Sequence, residues 1–381
     1  MSKISLKKSN NFLKFLTSIK NLFLISTLNI ENAFYSENKS YQKFSISIIN
    51  LVLKITNKDI YYISSDIDDK IHNKKIKNIY IGDGIVRNIF FLVIKAKNLF
   101  LTLTDLDNHF LKKTKKIEKY IYFFHSPIST FKSYTVSAFD NYDIILCNGN
   151  YQKKEIKFRE SKTGLKKELV EFGYIYFNYL KQIFKDNKFL DCNEILIAPS
   201  WNLNEENFIS EKIIHLIDKL LSMKTYKIRF RPHPEHFKRS KPVLEAIKEK
   251  FKNQDFIFDN DSIPLQALKN AKYLITDKSG IAIEYLLIFK KPVIYYETKD
   301  KVHNQKIEHF SDFTAIEDQI KSKFGLTLDI DNLDNFDEKI KIFNKKFENL
   351  GSDVDYFLRD NFYNIEKNED VFEEKLKHII N

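Results

Sequence analysis

The chain has 381 residues, which is enough for two domains of ordinary size, each with its own core. Hydrophobic residues make up 43% of the sequence, which excludes global disorder, and the formal net charge is +11. The two cysteines, Cys147 and Cys192, exclude a disulfide framework and indicate a reducing compartment.

The positive charge is concentrated in the first half of the chain. Residues 1–190 carry a net charge of +15, whereas residues 191–381 carry −4. A basic half fits a nucleic acid or an anionic membrane, and ordinary solvated lysines are the alternative. The sequence contains no recognisable nucleic-acid module. We therefore predict an anionic membrane surface, and no nucleic acid, as a partner.

Residues 1–40 form a predicted amphipathic segment. Apolar residues recur there near helical spacing with lysines between them, namely Phe12, Phe15, Leu16, Ile19, Leu22 and Phe23 with Lys7, Lys8, Lys14 and Lys20. Such a helix either lies on a membrane or packs on its own domain, and the pattern fits both. We expect no signal peptide and no spanning segment, because a continuous apolar run is lacking. The predicted location is cytoplasmic, on the inner face of the cell membrane.

Residues 41–190 are predicted to form a first Rossmann-like domain. Strand-like runs end in polar residues and alternate with helical patterns, at 60–64, 78–81, 99–104, 119–124 and 144–147, with a helix over 85–96. This repetition favours a doubly wound parallel sheet over a barrel. The pair Gly82 and Gly84 is a weak phosphate signal, because no third glycine follows at the fingerprint spacing.

Residues 191–350 repeat the pattern as a second Rossmann-like domain. Its predicted strands cover 194–198, 226–230, 272–276 and 292–296, and its predicted helices cover 208–223, 281–289 and 337–350. Residues 351–381 are predicted as a C-terminal helix that packs back on the first domain. The expected fold class is α/β, with two Rossmann-like doubly wound domains facing a central cleft, and ligands at the carboxyl ends of the strands.

Two polar motifs follow strands of the second domain and predict a phosphate site. Arg231 offers a planar cationic fork, and His233 is held between two prolines. Ser279 and Gly280 begin a helix whose free N–H groups point toward an anion, although a surface turn and an ordinary helix cap are the alternatives. The predicted nucleotide- and phosphate-binding residues are Arg231, Thr276, Asp277, Ser279, Gly280 and Glu284. No carboxylate pattern completes a metal site around His233 and His236, so no metal and no cofactor are predicted.

His125 ends a strand of the first domain. A histidine at such a position is either a general base with a pKa near the working pH or an imidazole bonded to a loop carbonyl. The strand end by itself leaves both roles open, and His125 and His233 are the two candidate catalytic residues.

The order of these motifs resembles the CDP-glycerol glycerophosphotransferase family over roughly residues 120–300. The resemblance rests on APSW, RPHP, D-x-S, a glutamate and KP, at Ala198 to Trp201, Arg231 to Pro234, Asp277 to Ser279, Glu284, and Lys291 with Pro292. The sequence departs from the family where Phe124-His125-Ser126-Pro127 stands for the usual tryptophan-His-Gly-Thr-Pro. It departs again where Asp277-Lys278-Ser279-Gly280 stands for Asp-Tyr-Ser-Ser.

The resemblance implies a two-domain transferase of the GT-B architecture that takes part in cell-envelope polymer synthesis. It implies a CDP-glycerol-like donor and a glycan or lipid-linked acceptor, with His125 as the base and Glu284 as a candidate for holding the ribose. A nucleotide-sugar glycosyltransferase fits the same sheet. A UDP-sugar 2-epimerase is a further alternative, since D-x-S-G-x-x-x-E also resembles that family. The non-enzyme alternative is a nucleotide-binding assembly protein.

Overall fold

The structure is a computed structural model, and it describes residues 2–108, 111–184, 193–201, 211–261, 265–297, 302–329 and 333–381, with residues 2–10 described by backbone alone. Two compact units are present. The first unit comprises Met1–His125, Tyr134–Asn178 and Phe362–Asn381, and the second comprises Ser126–Ser133 and Tyr179–Asn361. Cys192, the predicted boundary at 190/191 and residues 208–210 of a predicted helix lie outside the described residues.

The α-helices are numbered in chain order. They are α1 (Ser2–Thr27), α2 (Gln42–Thr56), α3 (Ile85–Val93), α4 (Thr130–Ser133), α5 (Asn150–Thr163), α6 (Tyr176–Phe184), α7 (Glu211–Ser222), α8 (Pro234–Arg239), α9 (Lys241–Phe251), α10 (Leu265–Asn270), α11 (Gly280–Phe289), α12 (Ile316–Phe324), α13 (Phe336–Glu348), α14 (Gly351–Asn361) and α15 (Glu369–Ile380). Short 3-10 helices cover Lys39–Tyr41 and Ile307–Phe310.

The strands are numbered in the same way. They are β1 (Ile30–Ser36), β2 (Ile60–Ser64), β3 (Ile76–Tyr80), β4 (Ala96–Leu101), β5 (Ile117–Phe123), β6 (Ile144–Cys147), β7 (Glu168–Glu171), β8 (Glu194–Ile197), β9 (Lys227–Phe230), β10 (Phe256–Phe258), β11 (Ala271–Thr276), β12 (Val293–Tyr296) and β13 (Gly325–Leu328).

Each unit is built on one parallel sheet. The first sheet has seven strands in the order β3-β2-β1-β4-β5-β6-β7, and the second has six in the order β10-β9-β8-β11-β12-β13. The strand order reverses between β1 and β4 in the first sheet and between β8 and β11 in the second. In doubly wound sheets such a reversal leaves a crevice at the carboxyl ends of the two strands, where ligands bind. The predicted fold class of two Rossmann-like sheets is confirmed.

Several strands are mainly apolar, as is typical of parallel sheets with both faces covered. All four residues of β6, β8 and β12 are buried. Apolar side chains of the strands join those of the surrounding helices into a separate hydrophobic core for each unit. Burial of these runs fixes the strand ends, and with them the positions of the loops that follow.

Two segments differ from the sequence-based assignment. The N-terminal segment predicted over residues 1–40 contains β1, which is the central strand of the first sheet. The C-terminal segment forms two helices, because Asn364 and Glu366 have left-handed backbone angles that end helical geometry. Of these helices α14 belongs to the second unit and α15 to the first.

In the first unit, α15 contacts α2, and Phe372 of α15 stacks edge-on against Phe172. Among the described helices, none is both long enough and apolar enough to cross a membrane.

Candidate functional site

Three loops meet at the carboxyl ends of β8, β9 and β11 in the second unit. The loop after β8 begins at Ala198, the loop after β9 at Arg231 and the loop after β11 at Asp277. The backbone N–H of Arg231 donates to the carbonyl of Ile197, and that of Ala198 donates to the carbonyl of Ile275. These bonds extend the strand pairing into the loops, so the three motifs start side by side.

Ser200 joins the three motifs to one another. Its N–H donates to Oδ1 of Asp277 over 3.0 Å, and its hydroxyl donates to Oδ2 of the same carboxylate. Its carbonyl accepts a hydrogen bond of 3.2 Å from Nε2 of His236, on α8. Since Asp277 is buried, its carboxylate fixes the loop after β8 in place. A direct role of Asp277 in binding a nucleotide stays a prediction.

Thr276 makes a similar link one residue earlier. Its hydroxyl donates to the carbonyl of Ala198 over 2.6 Å, and its side chain is fully buried. The hydroxyl therefore ties the end of β11 to the end of β8. Its predicted role in binding a nucleotide also stays a prediction.

The guanidinium of Arg231 is held by groups of its own unit. Nη1 lies 3.0 Å from Oδ1 of Asp259, and Nη2 donates to the carbonyl of Asp261 over 2.7 Å. Arg229, two residues earlier, pairs with Glu194 at 2.6 Å and lies 3.8 Å from Asp259. These contacts hold the loop after β10 in place. An anion that binds Arg231 would have to share the guanidinium with the carboxylate of Asp259.

His233 caps the short helix α8 and has a defined tautomer. Its Nδ1 accepts a 3.2 Å hydrogen bond from the N–H of Glu235, so the neutral ring carries its hydrogen on Nε2. The ring also packs edge-on against His236, with centroids 6.5 Å apart. This geometry makes His233 a hydrogen-bond donor through Nε2.

Ser279 and Gly280 begin α11, as the sequence predicts. Ser279 has extended backbone angles, and its side chain makes no capping hydrogen bond. A Cβ on Gly280 would lie 2.3 Å from Oγ and 3.4 Å from Cβ of Ser126. A side chain at residue 280 would therefore require the Ser126 hydroxyl to move, because the Ser126–Ser133 segment crosses the start of this helix.

Other contacts within the second unit anchor the Ser126–Ser133 segment. The N–H of Ser129 donates to Glu317 over 3.0 Å, and the Ser129 hydroxyl accepts from the N–H of Ile316 over 2.8 Å. Asp318 pairs with Lys132 at 2.7 Å and with Lys278 at 2.5 Å. Burial raises the pKa of the Glu317 carboxyl. The start of α12 thus holds this segment against the start of α11.

Glu284 lies on α11, one turn after Gly280, and it is buried. A solvated surface carboxylate is therefore excluded at this position. Its predicted contact with ribose hydroxyls stays a prediction.

His125 lies in the first unit at the end of β5. Its ring packs edge-on against Tyr41 at 5.2 Å and near Phe44 at 6.1 Å, and its carbonyl accepts a 3.1 Å hydrogen bond from the Tyr174 hydroxyl. Within the described residues Nδ1 is buried and has no hydrogen-bond partner. Burial, followed by the charge of Lys43, lowers the pKa of His125 to about 4. The imidazole is thus neutral at physiological pH, as a proton acceptor must be.

Sequence reasoning located the polar motifs but missed the residues that join them. It assigned no role to Ser200, His236, Ser126 or Asp259. Ser200 lies inside the APSW motif, and His236 follows the RPHP motif by two residues. Their closeness to these motifs could have identified both residues from the sequence. Asp259 follows a short strand that the sequence analysis did not identify. In the described part of the chain no cluster of three His, Cys, Asp or Glu residues is arranged to hold a metal ion.

No protein-family model and no characterised protein sequence matches this chain. Solved structures with a similar fold do exist. The wall teichoic acid polymerase TagF soaked with CDPG has a TM-score of 0.60, with 15% sequence identity over 98% of this chain and 97% of that chain. The UDP-GlcNAc 2-epimerase of Methanocaldococcus jannaschii, in complex with UDP-GlcNAc and UDP, has a TM-score of 0.60, with 14% identity over 92% of this chain and 99% of that chain.

An α,α-trehalose 6-phosphate synthase from Burkholderia multivorans has a TM-score of 0.50, with 8% identity over 93% of this chain and 96% of that chain. Identities this low show a common fold and leave the reaction undetermined. The chain therefore has the two-domain α/β fold of these proteins, the GT-B fold, with one Rossmann-like parallel sheet in each unit.

Proposed function

We propose that this protein is a transferase that moves glycerol phosphate, or a related polyol phosphate, from a CDP-activated donor to a cell-envelope glycan or polymer. The observation that carries the proposal is the linked set of loops after β8, β9 and β11. Ser200 and Asp277 join these loops beside the start of α11. This is the crevice of the second sheet where a nucleotide diphosphate is expected. The fold shared with a TagF structure soaked with CDPG supports the choice of donor.

The donor diphosphate is proposed to lie at the start of α11. Free N–H groups and the positive end of the helix dipole favour an anion there, and Ser279 adds a hydroxyl. His233 donates through Nε2, and Arg231 contributes positive charge while it remains paired with Asp259. Glu284 is assigned to the ribose hydroxyls. Neutralising charge on the phosphates is the main contribution a protein makes to phosphoryl transfer.

His125 is the proposed base. It takes the proton of the acceptor hydroxyl while the acceptor oxygen attacks the β-phosphorus of the donor. The bond from that phosphorus to the bridging oxygen breaks, and CMP leaves with the electron pair. The product is a phosphodiester between acceptor and polyol. The neutral state of His125 at pH 7 is consistent with this role.

A UDP-sugar enzyme of the same fold is the second candidate. The observation in its favour is the equal TM-score of the UDP-GlcNAc 2-epimerase, whose structure contains UDP-GlcNAc and UDP. A glycosyltransferase would use the same crevice for a sugar nucleotide. We also propose a cytoplasmic location on the inner face of the membrane, where a lipid-linked acceptor would be met.

The test is a panel of nucleotide-activated polyols and sugars, each incubated with the protein with and without a lipid-linked polyol phosphate acceptor. Release of free nucleotide is measured by chromatography. The proposal predicts release of CMP from CDP-glycerol or CDP-ribitol that depends on the acceptor. Conversion of UDP-GlcNAc to its C2 epimer, without an acceptor and without net release of UDP, would indicate the epimerase alternative. Binding of CDP-glycerol by calorimetry without turnover would indicate a binding protein.

A further inference from the structure

Helix α1 has one face packed on the first unit and another that is exposed and apolar. Ser18 and Ile25 are buried, and the Asn21 amide donates to the carbonyl of Tyr80 over 2.7 Å. The exposed apolar residues of α1 are Phe12, Leu13, Phe15, Leu16, Ile19, Phe23 and Leu24. The side chain of Phe12 is 62% exposed and that of Phe23 is 75% exposed. Phenylalanines at that exposure are unusual on a fully solvated surface.

Helix α3, against which α1 packs, adds a second apolar stripe. Ile85, Ile89 and Leu92 are exposed at positions i, i+4 and i+7, with Ile85 77% exposed. The other side of α3 places Phe90 and Phe91 in the core of the unit. Because both helices expose apolar residues and contact each other, their stripes belong to one region of the surface. We call it the α1–α3 surface.

The charged residues within the two helices have one sign. The sequence of α1 contains five lysines and no acidic residue, and both Lys14 and Lys20 are exposed. The sequence of α3 contains Arg87 and no acidic residue. Asp83, just before α3, pairs with Arg87 at 2.8 Å. An apolar surface accompanied by cations complements a partner that offers hydrocarbon and negative charge together.

We propose that the α1–α3 surface docks on an anionic lipid bilayer, with α1 lying in the plane of the interface. The phenylalanines enter the headgroup–acyl boundary, and the lysines meet the lipid phosphates. A second copy of this chain is a poorer occupant, because it would bring its own exposed Lys14 and Lys20 against those of the first copy. Binding of anionic lipid by this surface would account for the membrane location given under the proposed function, on which it rests. It is tested without any transferase assay, so its failure is separate from failure of the proposed activity.

The experiment is flotation of the full chain with vesicles of phosphatidylcholine alone and of phosphatidylcholine mixed with phosphatidylglycerol. The protein is expected to float with the anionic vesicles and to remain in solution with the neutral ones. High salt should weaken the binding, because the lysine contribution is screened.

Two pairs of variants locate the surface. The double variant Phe12→Ser/Phe23→Ser should bind anionic vesicles at least roughly tenfold more weakly. Its control is Ile342→Ser/Tyr356→Ser in the second unit, where the two side chains are 65% and 74% exposed. Lys14→Glu/Lys20→Glu should also weaken binding at least roughly tenfold. Lys212→Glu/Lys345→Glu changes the net charge equally, on exposed lysines of the second unit, and should retain most of the binding.

Several results would overturn the inference. One is equal flotation of Phe12→Ser/Phe23→Ser and of its control in the second unit. Another is an equal loss of vesicle binding in the two lysine double variants, which would mean that only the net charge of the protein matters. Absence of flotation in the wild type would also overturn it. Sedimentation velocity without lipid tests whether a second copy of the chain binds this surface instead. If the wild type is a dimer and Phe12→Ser/Phe23→Ser is a monomer, the surface is a dimer interface. Circular dichroism of each variant confirms that the helices are retained.

Discussion

At the residue scale, the neutral state of His125 depends on its surroundings in the first unit. Aromatic rings exclude water around its imidazole, and the charge of Lys43 disfavours a second positive charge. A lowered pKa keeps the ring deprotonated over a wide pH range but makes it a weaker base. Because Nδ1 has no hydrogen-bond partner among the described residues, we expect the acceptor hydroxyl to donate a hydrogen bond to it.

The first prediction concerns pH and His125. An unperturbed histidine base predicts a fall in kcat/KM below about pH 6.5. With the pKa lowered to about 4, the base stays unprotonated through that range, so kcat/KM should fall only as the pH approaches about 4. His125→Ala should lower kcat by ~10²–10⁴ and leave the affinity for CDP unchanged.

His309→Ala, at an exposed histidine of the second unit, is the matched control and should have full activity. Initial rates with the donor identified by the panel supply the data. Full turnover by His125→Ala would assign the base elsewhere, and the Ser126 departure from the family element would then be examined.

The second prediction concerns Arg231, whose guanidinium is paired with Asp259. Arg231→Ala leaves that buried carboxylate with the N–H of Asp261 and the more distant Arg229, so unfolding should require about 1–3 kcal/mol less free energy. CDP binding should weaken several-fold to a hundredfold, on the scale of ~1.5–3 kcal/mol for a charged hydrogen bond. Urea denaturation and calorimetric titration measure the two effects.

Lys238→Ala provides a comparison for Arg231, because its ion pair with Glu235 is exposed. That change should alter stability by less than about 1 kcal/mol. If CDP binds Arg231→Ala with wild-type affinity, the nucleotide site is not at the end of β9.

At the element scale, α11 is positioned by the Ser126–Ser133 segment as well as by its own sheet. The segment crosses the start of the helix so closely that a Cβ on Gly280 would lie 2.3 Å from Oγ of Ser126. Glu317, Ser129 and Asp318 hold the segment in that place. The Ser126 and Gly280 departures from the family motifs are thus two sides of one contact.

The third prediction follows from this contact. Gly280→Ala should lower stability by about 1 kcal/mol and weaken CDP binding, because the new methyl group forces the Ser126 hydroxyl out of its place at the start of α11. Adding Ser126→Gly removes the opposing atoms and should restore most of the stability. Thermal unfolding of the single and double variants is the measurement.

Gly351→Ala is the matched control for Gly280→Ala. Gly351 also begins a helix, α14, but a Cβ there would meet nothing within 4 Å. That substitution should be neutral or slightly stabilising, since it reduces the freedom of the unfolded chain. Equal effects at the two glycines would mean that the Ser126 contact does not limit the side chain at residue 280.

At the scale of the whole molecule, the two units are expected to divide the proposed tasks. The nucleotide loops belong to the second unit, and the α1–α3 surface belongs to the first. A ligand of one kind should therefore protect one unit's surface and leave the other's unchanged.

Amide hydrogen exchange on the full chain gives the fourth prediction. CDP should slow exchange over residues 231–236 and 277–284 while leaving residues 12–27 and 85–93 unchanged. Anionic vesicles should produce the reverse pattern. Protection of α1 and α3 by CDP alone would contradict this division of tasks.

The sequence by itself determined the α/β class, with a parallel sheet in each half, and most of the strand ends that carry polar residues. Strands at 60–64 and 144–147 have the predicted bounds, because uninterrupted apolar runs between polar turns fix both ends. The start of α11 after Asp277 and Ser279 was also predictable, since a polar break before an apolar run of helical length marks a helix start. These are local signals, which a single sequence contains in full.

Tertiary structure decided which strands are neighbours and which partner each polar side chain takes. Strand β1 mixes polar and apolar residues, so its central place in the sheet has no local signature. Arg231 pairs with Asp259, and Ser200 with Asp277, across 28 and 77 positions of sequence. The close approach of Ser126 to Gly280 also joins residues that are far apart along the chain. Such pairings depend on how strands and loops are brought together in three dimensions, and neighbouring residues in the sequence do not determine that.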